Sequence, residues 1–238
     1  MSNVTAATRL AALEKEVKTL KKQVKEKDAR LVRLEDVEAI KRLQCAYGYY
    51  LEHWMGQEII DCFAMDNPEV SATLVEGTYN GPEGVRRYFG KSKEMPPDFM
   101  HMVMQVSPVI TFGKDGKRAY GRWYGYGSIL SQNSEPLDPT MMAVIYEMDY
   151  IKEKGVWKIL KLRLQMHYAY NRGTARQGAP SGQEIKLTPD EWSPYNTSYP
   201  SGYIYPFSFP HPVTGKPNTE SKHNAKLKLK PSPFLSWK

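Results

Sequence analysis

Two runs of the chain, MAVIYEMDYIK (residues 142–152) and VWKILKLRLQMHYA (residues 156–169), decide the fold. Both runs are rich in β-branched and aromatic residues, and only Glu153-Lys154-Gly155 separates them. A short connection that contains glycine between two such runs is typical of a β-hairpin. The pair therefore predicts two long antiparallel strands.

Two further strand-like runs, Met102 to Phe112 and Arg118 to Leu130, precede this hairpin. The short loop that joins them contains Gly113-Lys114-Asp115-Gly116, which predicts a second hairpin. A loop rich in Ser, Asn and Pro connects the two hairpins. The four strands should therefore form an antiparallel meander.

The segment before the meander has a helical pattern, with one apolar face that runs from Val37 to Leu51. A second helical stretch follows from Gln57 to Phe63. We predict a strand from Val70 to Tyr79, and then a short helix from Pro82 to Phe89 with proline in its first turn. Helices that come first, followed by a curved antiparallel sheet, predict an α+β fold.

An apolar seam with alternating spacings of three and four residues runs through the first 35 residues. This narrow pattern is typical of a coiled coil, although an amphipathic stripe can also pack on its own domain. We expect a coiled-coil helix over residues 1–35 and a homo-oligomer. The mixture of Leu and Val in the seam does not select between a dimer and a trimer. The seam residues are Leu10, Leu13, Val17, Leu20, Val24, Leu31 and Leu34.

The composition changes after Asn171 to Gly, Pro, Ser and Tyr. Aromatic residues spaced between prolines favour an extended arm, and we expect the part from Trp192 to Pro212 to lie on the domain or on a neighbouring subunit. The chain is thus expected to have three parts: a coiled-coil helix over residues 1–35, an α+β domain over residues 36–170, and an arm with a basic tail over residues 171–238.

Composition and charge exclude several classes of function. The net charge is +7, but the basic residues lie mostly in Lys15 to Lys41 and Lys222 to Lys230, without interleaved aromatic residues, so we expect no nucleic-acid partner. No early apolar stretch resembles a signal peptide, and no run approaches the roughly 20 apolar residues of a membrane helix. Cys45 and Cys62 fit neither a zinc site nor a disulfide framework. We therefore expect a cytoplasmic protein with no membrane partner, metal or cofactor.

Three segments of the chain resemble the SnoaL-like family, within the nuclear transport factor-like cone-shaped barrels. They are DVEAIKRL (residues 36–43), GTYNGPEGV (residues 77–85), and YEMDY with GVWKI (residues 146–150 and 155–159). The resemblance covers residues 36 to about 166, and it implies a cone-shaped curved sheet covered by helices. The family includes cofactor-free dehydratases, dehydrochlorinases, isomerases and cyclases, and also proteins that only bind ligands, so fold alone does not decide function.

The resemblance also implies a catalytic pair. In the family's hexachlorocyclohexane dehydrochlorinases, a histidine opens the strand after the short helix, and an acidic residue near the end of the first long helix orients it. The matching positions here are His101 and Glu52, with Glu where those enzymes have Asp. An imidazole can take a proton at neutral pH, and a carboxylate fixes its tautomer. The alternative is an ordinary polar strand residue and a solvated helix residue.

Strand alternation supplies candidates for the wall of the pocket. Arg122, Tyr124 and Tyr126 share one face of a predicted strand, and Tyr146 lies in the matching phase of the next strand. If the family's register holds, this face lines the cone. An arginine there would require an anionic partner.

Three more residues complete the expected site. Tyr47 and Tyr50, on the covering helix, could point into the same cavity. His167 is a secondary candidate, because the pattern of the last strand leaves its inward face open. For each tyrosine, packing on a half-buried sheet is the alternative to a role in substrate binding.

These candidates predict a cofactor-independent lyase that acts on an aromatic small molecule. The expected catalytic residues are His101, Glu52, Tyr50 and Arg122, and the expected substrate-binding residues are Tyr47, Tyr124, Tyr126, Tyr146 and His167. The coiled-coil leader and the Tyr/Pro-rich tail resemble diarylpropane lyases of lignin-degrading bacteria, which implies the release of formaldehyde from a diarylpropane diol to leave a stilbene. A dehydratase or an isomerase/cyclase of an aromatic or polycyclic substrate, and a non-catalytic ligand-binding or assembly module, remain alternatives.

Overall fold

The computed structural model divides the chain into two compact units, Met1–Ala39 and Ile40–Lys238. The residues that the structure describes are 5–52, 54–91, 99–131, 138–170 and 188–192. The predicted aromatic arm and basic tail lie almost entirely outside these residues.

The first unit contains most of helix α1, which spans Ala6–Glu52. The hydroxyl of Thr5 accepts a hydrogen bond from the backbone N–H of Thr8 at 3.4 Å, as an N-terminal cap does. All seven seam residues of the predicted coiled coil are exposed, from 47% for Val17 to 64% for Leu34. The helix is as predicted, and its self-association stays a prediction.

The second unit begins with the last turns of α1, where Ile40, Tyr47 and Leu51 are buried. The helix ends because Trp54 adopts the left-handed backbone region at φ 48°, and the N–H of Met55 then donates back to the carbonyl of Tyr50 at 2.9 Å. Two short helices follow, α2 (Gly56–Asp61) and α3 (Gly81–Phe89), and α3 has proline in its first turn as predicted.

Within the described residues, seven strands form one sheet in the order β3-β4-β5-β6-β1-β2-β7. Neighbouring strands are antiparallel except β1 and β6, which are parallel. The predicted four-stranded meander is present as β3 to β6. The strands are β1 (Ser71–Thr73), β2 (Gly77–Asn80), β3 (Phe99–Phe112), β4 (Arg118–Ser131), β5 (Thr140–Glu153), β6 (Val156–Tyr170) and β7 (Glu191–Trp192).

The single strand predicted from Val70 to Tyr79 is wrong, because this segment forms the hairpin β1–β2. The N–H of Leu74 donates to the carbonyl of Gly77 at 2.8 Å, which closes a tight turn between the two strands. Gly77 also lies against β7, and a Cβ at this position would be 1.9 Å from the carbonyl oxygen of Glu191. The glycine is therefore required by the close approach of β7, which the sequence pattern does not reveal.

The register of the sheet defines two faces. The core face carries Val103 of β3, Trp123 of β4, Tyr146 of β5 and Leu164 of β6, all of which are buried. Strand β4 contributes glycines to this face at positions 121, 125 and 127, and they leave room for larger neighbours. The opposite face, called the outer face below, carries residues that include Met104, Arg122, Tyr124, Tyr126 and Glu147.

Two residues of the predicted pocket wall on β4 therefore lie on the face opposite the core, and their role in a pocket stays a prediction. Tyr124 and Tyr126 are 54% and 46% exposed on the outer face, whereas Trp123, which precedes Tyr124, is 2% exposed on the core face. The physical reason is space. A Cβ at Gly125 would lie 2.4 Å from Cγ2 of Val144 and 2.7 Å from Cε2 of Tyr146, so the glycines face inward to accommodate the side chains of β5.

Candidate functional site

His101 lies near the start of β3, where it pairs with Ile129 of β4. Ile129 is buried on the core face, so the imidazole lies on the same side of the sheet as the core. The side chain as a whole is half-buried, but its Nδ1 atom is shielded from solvent and has no hydrogen-bond partner. An unpaired buried nitrogen is costly, so it marks a place where a ligand could supply the missing partner.

An aromatic ring contacts His101, and further rings pack on that ring. The ring of Trp54 stacks on the imidazole, with the ring centroids 5.9 Å apart and the planes at 26°. Trp54 also contacts Phe99 at 6.2 Å and Tyr88 at 6.4 Å between centroids. The left-handed backbone at Trp54 is unfavourable for a bulky residue, and strained positions of this kind cluster at functional sites.

The imidazole is uncharged at neutral pH. Burial, and to a lesser extent the nearby charge of Lys91, lower the pKa of His101 from 6.5 to about 4. Burial therefore dominates the pKa of His101, and not the stabilisation of the imidazolium form by a carboxylate. A neutral imidazole has one nitrogen that accepts a proton and one that donates, so His101 is in the protonation state that a general base needs.

Glu52 lies on the side of α1 that faces β3. Gly48, one helical turn earlier, is close to β3, since a Cβ at Gly48 would be 3.1 Å from Nε2 of Gln105. Among the described residues, no hydrogen bond or ion pair joins Glu52 to His101. The structure thus places the predicted pair on two facing elements, with no hydrogen bond or ion pair between the two described side chains.

The predicted tyrosines of α1 are on or beside the core. Tyr47 is 1% exposed and packs edge-on against Phe63 and Phe89, with 6.2 Å between the ring centroids in each case. Tyr50 is half-buried against the same core. Tyr146 of β5 is fully buried on the core face. Of the predicted tyrosines, these three share the side of the sheet on which His101 lies.

The buried phenols are neutral. Burial raises the pKa of Tyr47, Tyr88 and Tyr146 well above the ordinary value of 10, and it raises the pKa of Tyr79 to about 12. At neutral pH these groups donate or accept hydrogen bonds as phenols. They carry no negative charge that could compensate a cation in the site.

A chain of hydrogen bonds crosses the core between α1 and the sheet. The hydroxyl of Tyr150 donates to Oε1 of Gln44 at 2.6 Å and accepts from Nε1 of Trp123 at 3.0 Å. Nε2 of Gln44 in turn donates to Oε1 of Gln105. Nε2 of Gln105 is buried without a partner. This network fixes α1, which carries Glu52, against β3, which carries His101, and against β4.

Two predicted site residues lie on the outer face. Nη1 of Arg122 donates to Oε1 of Glu147 at 2.7 Å, and Glu147 is 2% exposed. The predicted anionic partner of Arg122 thus exists, but it lies across the sheet from His101. His167 occupies a β-bulge of β6, and its pKa is lowered first by burial and then by the charge of Arg122, which indicates that the two side chains are near each other.

Several residues at the candidate site were missed from the sequence. Trp54 stacks on His101, Tyr88 and Lys91 contact Trp54, and Gln44 with Gln105 connects α1 to β3. One signal was available for Trp54, because it follows Glu52 by two residues at the end of the predicted helix. The remaining contacts depend on how the strands and helices pack, which no local pattern shows.

In the part of the chain that the structure describes, no three His, Cys, Asp or Glu side chains lie close enough to hold a metal ion. Both cysteines are free thiols, with Cys45 exposed and Cys62 buried. No described helix is both long enough and apolar enough to cross a membrane.

The fold and the site define an α+β protein in which a curved, mostly antiparallel sheet and its helices hold a neutral histidine against a cluster of aromatic rings. The SnoaL-like domain family matches residues 32–163, and the chain belongs to that family. No curated protein is similar enough to this chain to count as a match.

Solved structures with a similar fold include two from the genus Novosphingobium. Hexachlorocyclohexane dehydrochlorinase LinA-type3 from Novosphingobium barchaimii LL02 is 22% identical to this chain, and the TM-score is 0.48. The match covers 63% of this chain and 99% of that chain. A putative scytalone dehydratase from Novosphingobium aromaticivorans DSM 12444 is 16% identical to this chain, and the TM-score is 0.49. The match covers 63% of this chain and 96% of that chain.

Proposed function

We propose that this protein is a cofactor-independent lyase that uses His101 for acid/base chemistry on an aromatic small molecule. One observation carries the proposal: an uncharged imidazole, whose buried Nδ1 has no hydrogen-bond partner among the described residues, stacks on Trp54, and Trp54 packs against further aromatic rings. Aromatic walls bind flat apolar ligands by stacking, and the unpaired nitrogen supplies a site for proton transfer.

The catalytic roles follow from the side of the sheet on which each residue lies. His101 accepts and returns the proton, and Glu52 orients it once a ligand brings the two elements together. Tyr50, Tyr47 and Tyr146 belong to the same side and can donate hydrogen bonds to substrate oxygens as neutral phenols. The site that we propose does not include Arg122, Tyr124, Tyr126 or His167.

The particular reaction that we propose is the deformylation of a lignin-derived diarylpropane diol. The base takes the proton of the terminal hydroxyl, the bond between the hydroxymethyl carbon and its neighbour breaks, and formaldehyde leaves. The released electron pair forms the stilbene double bond as the benzylic hydroxyl departs with a proton from the acid. Formaldehyde, water and stilbene balance the diol, and no oxidant or reductant is required.

The test is to incubate purified protein with a panel of phenolic diarylpropane diols and to follow stilbene absorbance and released formaldehyde. Wild type should yield both products, and His101→Gln should yield neither. His167→Gln is a matched control, because it removes the same side chain from the outer face and should keep activity.

Each other outcome has a definite meaning. Loss of water without formaldehyde would replace the lyase with a dehydratase, and a product of unchanged mass would indicate an isomerase or cyclase. Equal activity in the His101→Gln variant would overturn the proposed role of His101. Ligand binding without turnover, with unchanged affinity in that variant, would instead indicate a binding module.

A further inference from the structure

Lys91, which follows α3, brings a positive charge into the aromatic wall beside His101. Its Nζ lies 3.8 Å from the ring centroid of Tyr88 and 4.7 Å from that of Trp54. Both distances are within the range of cation–π contacts. Because the Trp54 ring also stacks on His101, these four side chains form one group, called the Lys91 cluster below.

Two hydrogen-bond donors in and beside the Lys91 cluster, on Trp54 and Tyr79, have no acceptor among the described residues. Nε1 of Trp54 is buried with no partner, and an indole N–H can only donate. The hydroxyl of Tyr79, whose ring packs on Tyr88 at 4.9 Å between centroids, is also buried and unpaired. A buried donor without an acceptor is costly, so a ligand that brings an oxygen acceptor would be favoured here.

The charges near the cluster favour an anion. Burial raises the pKa of Tyr88 well above its ordinary value, so the ring under Lys91 is a neutral phenol, and His101 is neutral as well. The charge of Glu76, which lies between β1 and β2, also raises the pKa of Tyr88, but Glu76 is exposed and its field is weakened by solvent. A cation, an unpaired N–H and stacked rings together suit an aromatic ligand with a charged oxygen.

We propose that the Lys91 cluster is an anion-binding site for aromatic compounds, in which the Lys91 ammonium and the Trp54 indole N–H bind a phenolate or carboxylate oxygen. The inference rests on the proposed function and adds the substrate class, namely aromatic acids or ionised phenols. The ligand ring stacks within the aromatic wall, and its charged oxygen is held beside His101. Lys91 is then a binding and specificity residue of the site.

The test compares two probes of nearly the same shape, benzoate and benzamide, of which only benzoate is charged. Their affinities are measured by calorimetry, and the indole N–H resonance of Trp54 is followed by NMR and assigned with a Trp54→Phe variant. Wild type should bind benzoate about tenfold more tightly than benzamide, which corresponds to about 1.4 kcal/mol. The Trp54 resonance should shift when benzoate binds.

Three lysine variants separate charge from packing. Lys91→Met should remove the preference for benzoate and leave the affinity for benzamide unchanged, whereas Lys91→Arg should keep the preference. Lys152→Met is the matched control, because Lys152 lies 5.8 Å over Trp157 in the β5–β6 hairpin and makes a similar contact away from His101. That variant should behave as wild type.

The inference and the proposed reaction can fail separately. A benzoate preference that survives in Lys91→Met, equal affinity for the two probes in wild type, or no binding of either probe at millimolar concentration would overturn the anion site. A preference that depends on Lys91, in a protein that releases neither stilbene nor formaldehyde, would uphold the anion site and overturn the lyase.

Discussion

Acid should destabilise this protein through His101 in a way that a single substitution removes. The pKa of His101 is about 4 in the folded chain and about 6.5 when the imidazole is exposed by unfolding. The unfolded state therefore binds more protons between these values, so the free energy of unfolding falls as the pH drops below about 6.5 and stops falling below about 4. Above this window both states are neutral at His101, and its contribution does not change.

The size of the effect follows from the same two values. Each pKa unit corresponds to about 1.4 kcal/mol, so the interval from 6.5 to about 4 corresponds to about 3 kcal/mol in full. Between about pH 7 and about pH 5, roughly 2 kcal/mol of this should be lost. The free energy of unfolding of a single domain is roughly 5–15 kcal/mol, so a loss of this size is a substantial fraction of it and is readily measured.

The assay is urea unfolding of wild type and His101→Gln at these two pH values. Glutamine does not titrate, so the free energy of unfolding of wild type should fall by roughly 2 kcal/mol more than that of the variant. The contribution of His167, whose pKa is also lowered, is the same in both proteins and cancels. An equal loss in the two proteins, or an NMR titration of His101 near its ordinary pKa, would refute the reasoning.

Two further substitutions test the core network and the outer face. Tyr150→Phe leaves Nε1 of Trp123 and Oε1 of Gln44 without their shared partner, so unfolding by urea should show a loss of about 1–3 kcal/mol, and an unchanged midpoint would contradict the network. Arg122→Met leaves the buried carboxylate of Glu147 less compensated and should lower the free energy of unfolding by about 3 kcal/mol. A second change, Glu147→Gln, should recover part of this loss, and no recovery would argue against a charge effect.

Most of the fold could be predicted from the sequence, because its strands are long and its hairpins short. The runs from Met102 to Ala169 predicted β3 to β6 within a few residues at each end, and the helical periods predicted the three helices. The hairpin β1–β2 was missed because its strands have only three and four residues. In strands this short, alternation cannot be distinguished from that of one longer strand.

The site was harder to predict than the fold, because a period of two does not say which face is buried. On β4, Tyr124 and Tyr126 alternate with a face that carries Trp123 and glycines. The expectation that large side chains line a pocket favours the face of Tyr124 and Tyr126. The structure buries the glycine face instead, since Tyr146 and Val144 of β5 fill the space above Gly125. Burial is decided by the neighbouring strand, and only the register reveals it.

Three departures from ordinary protein structure lie in the stacked pair Trp54 and His101, and this supports a ligand there. Trp54 has a left-handed backbone, its indole N–H is unpaired, and Nδ1 of His101 is unpaired. Each costs about 1 kcal/mol or more, and the two unpaired nitrogens have no compensating hydrogen bond among the described residues. A chain that keeps several such costs within one stacked pair of rings gains from them only when a ligand supplies the missing partners. The binding of an aromatic anion would meet that condition, because one charged oxygen can accept from the indole while its ring stacks against the aromatic wall.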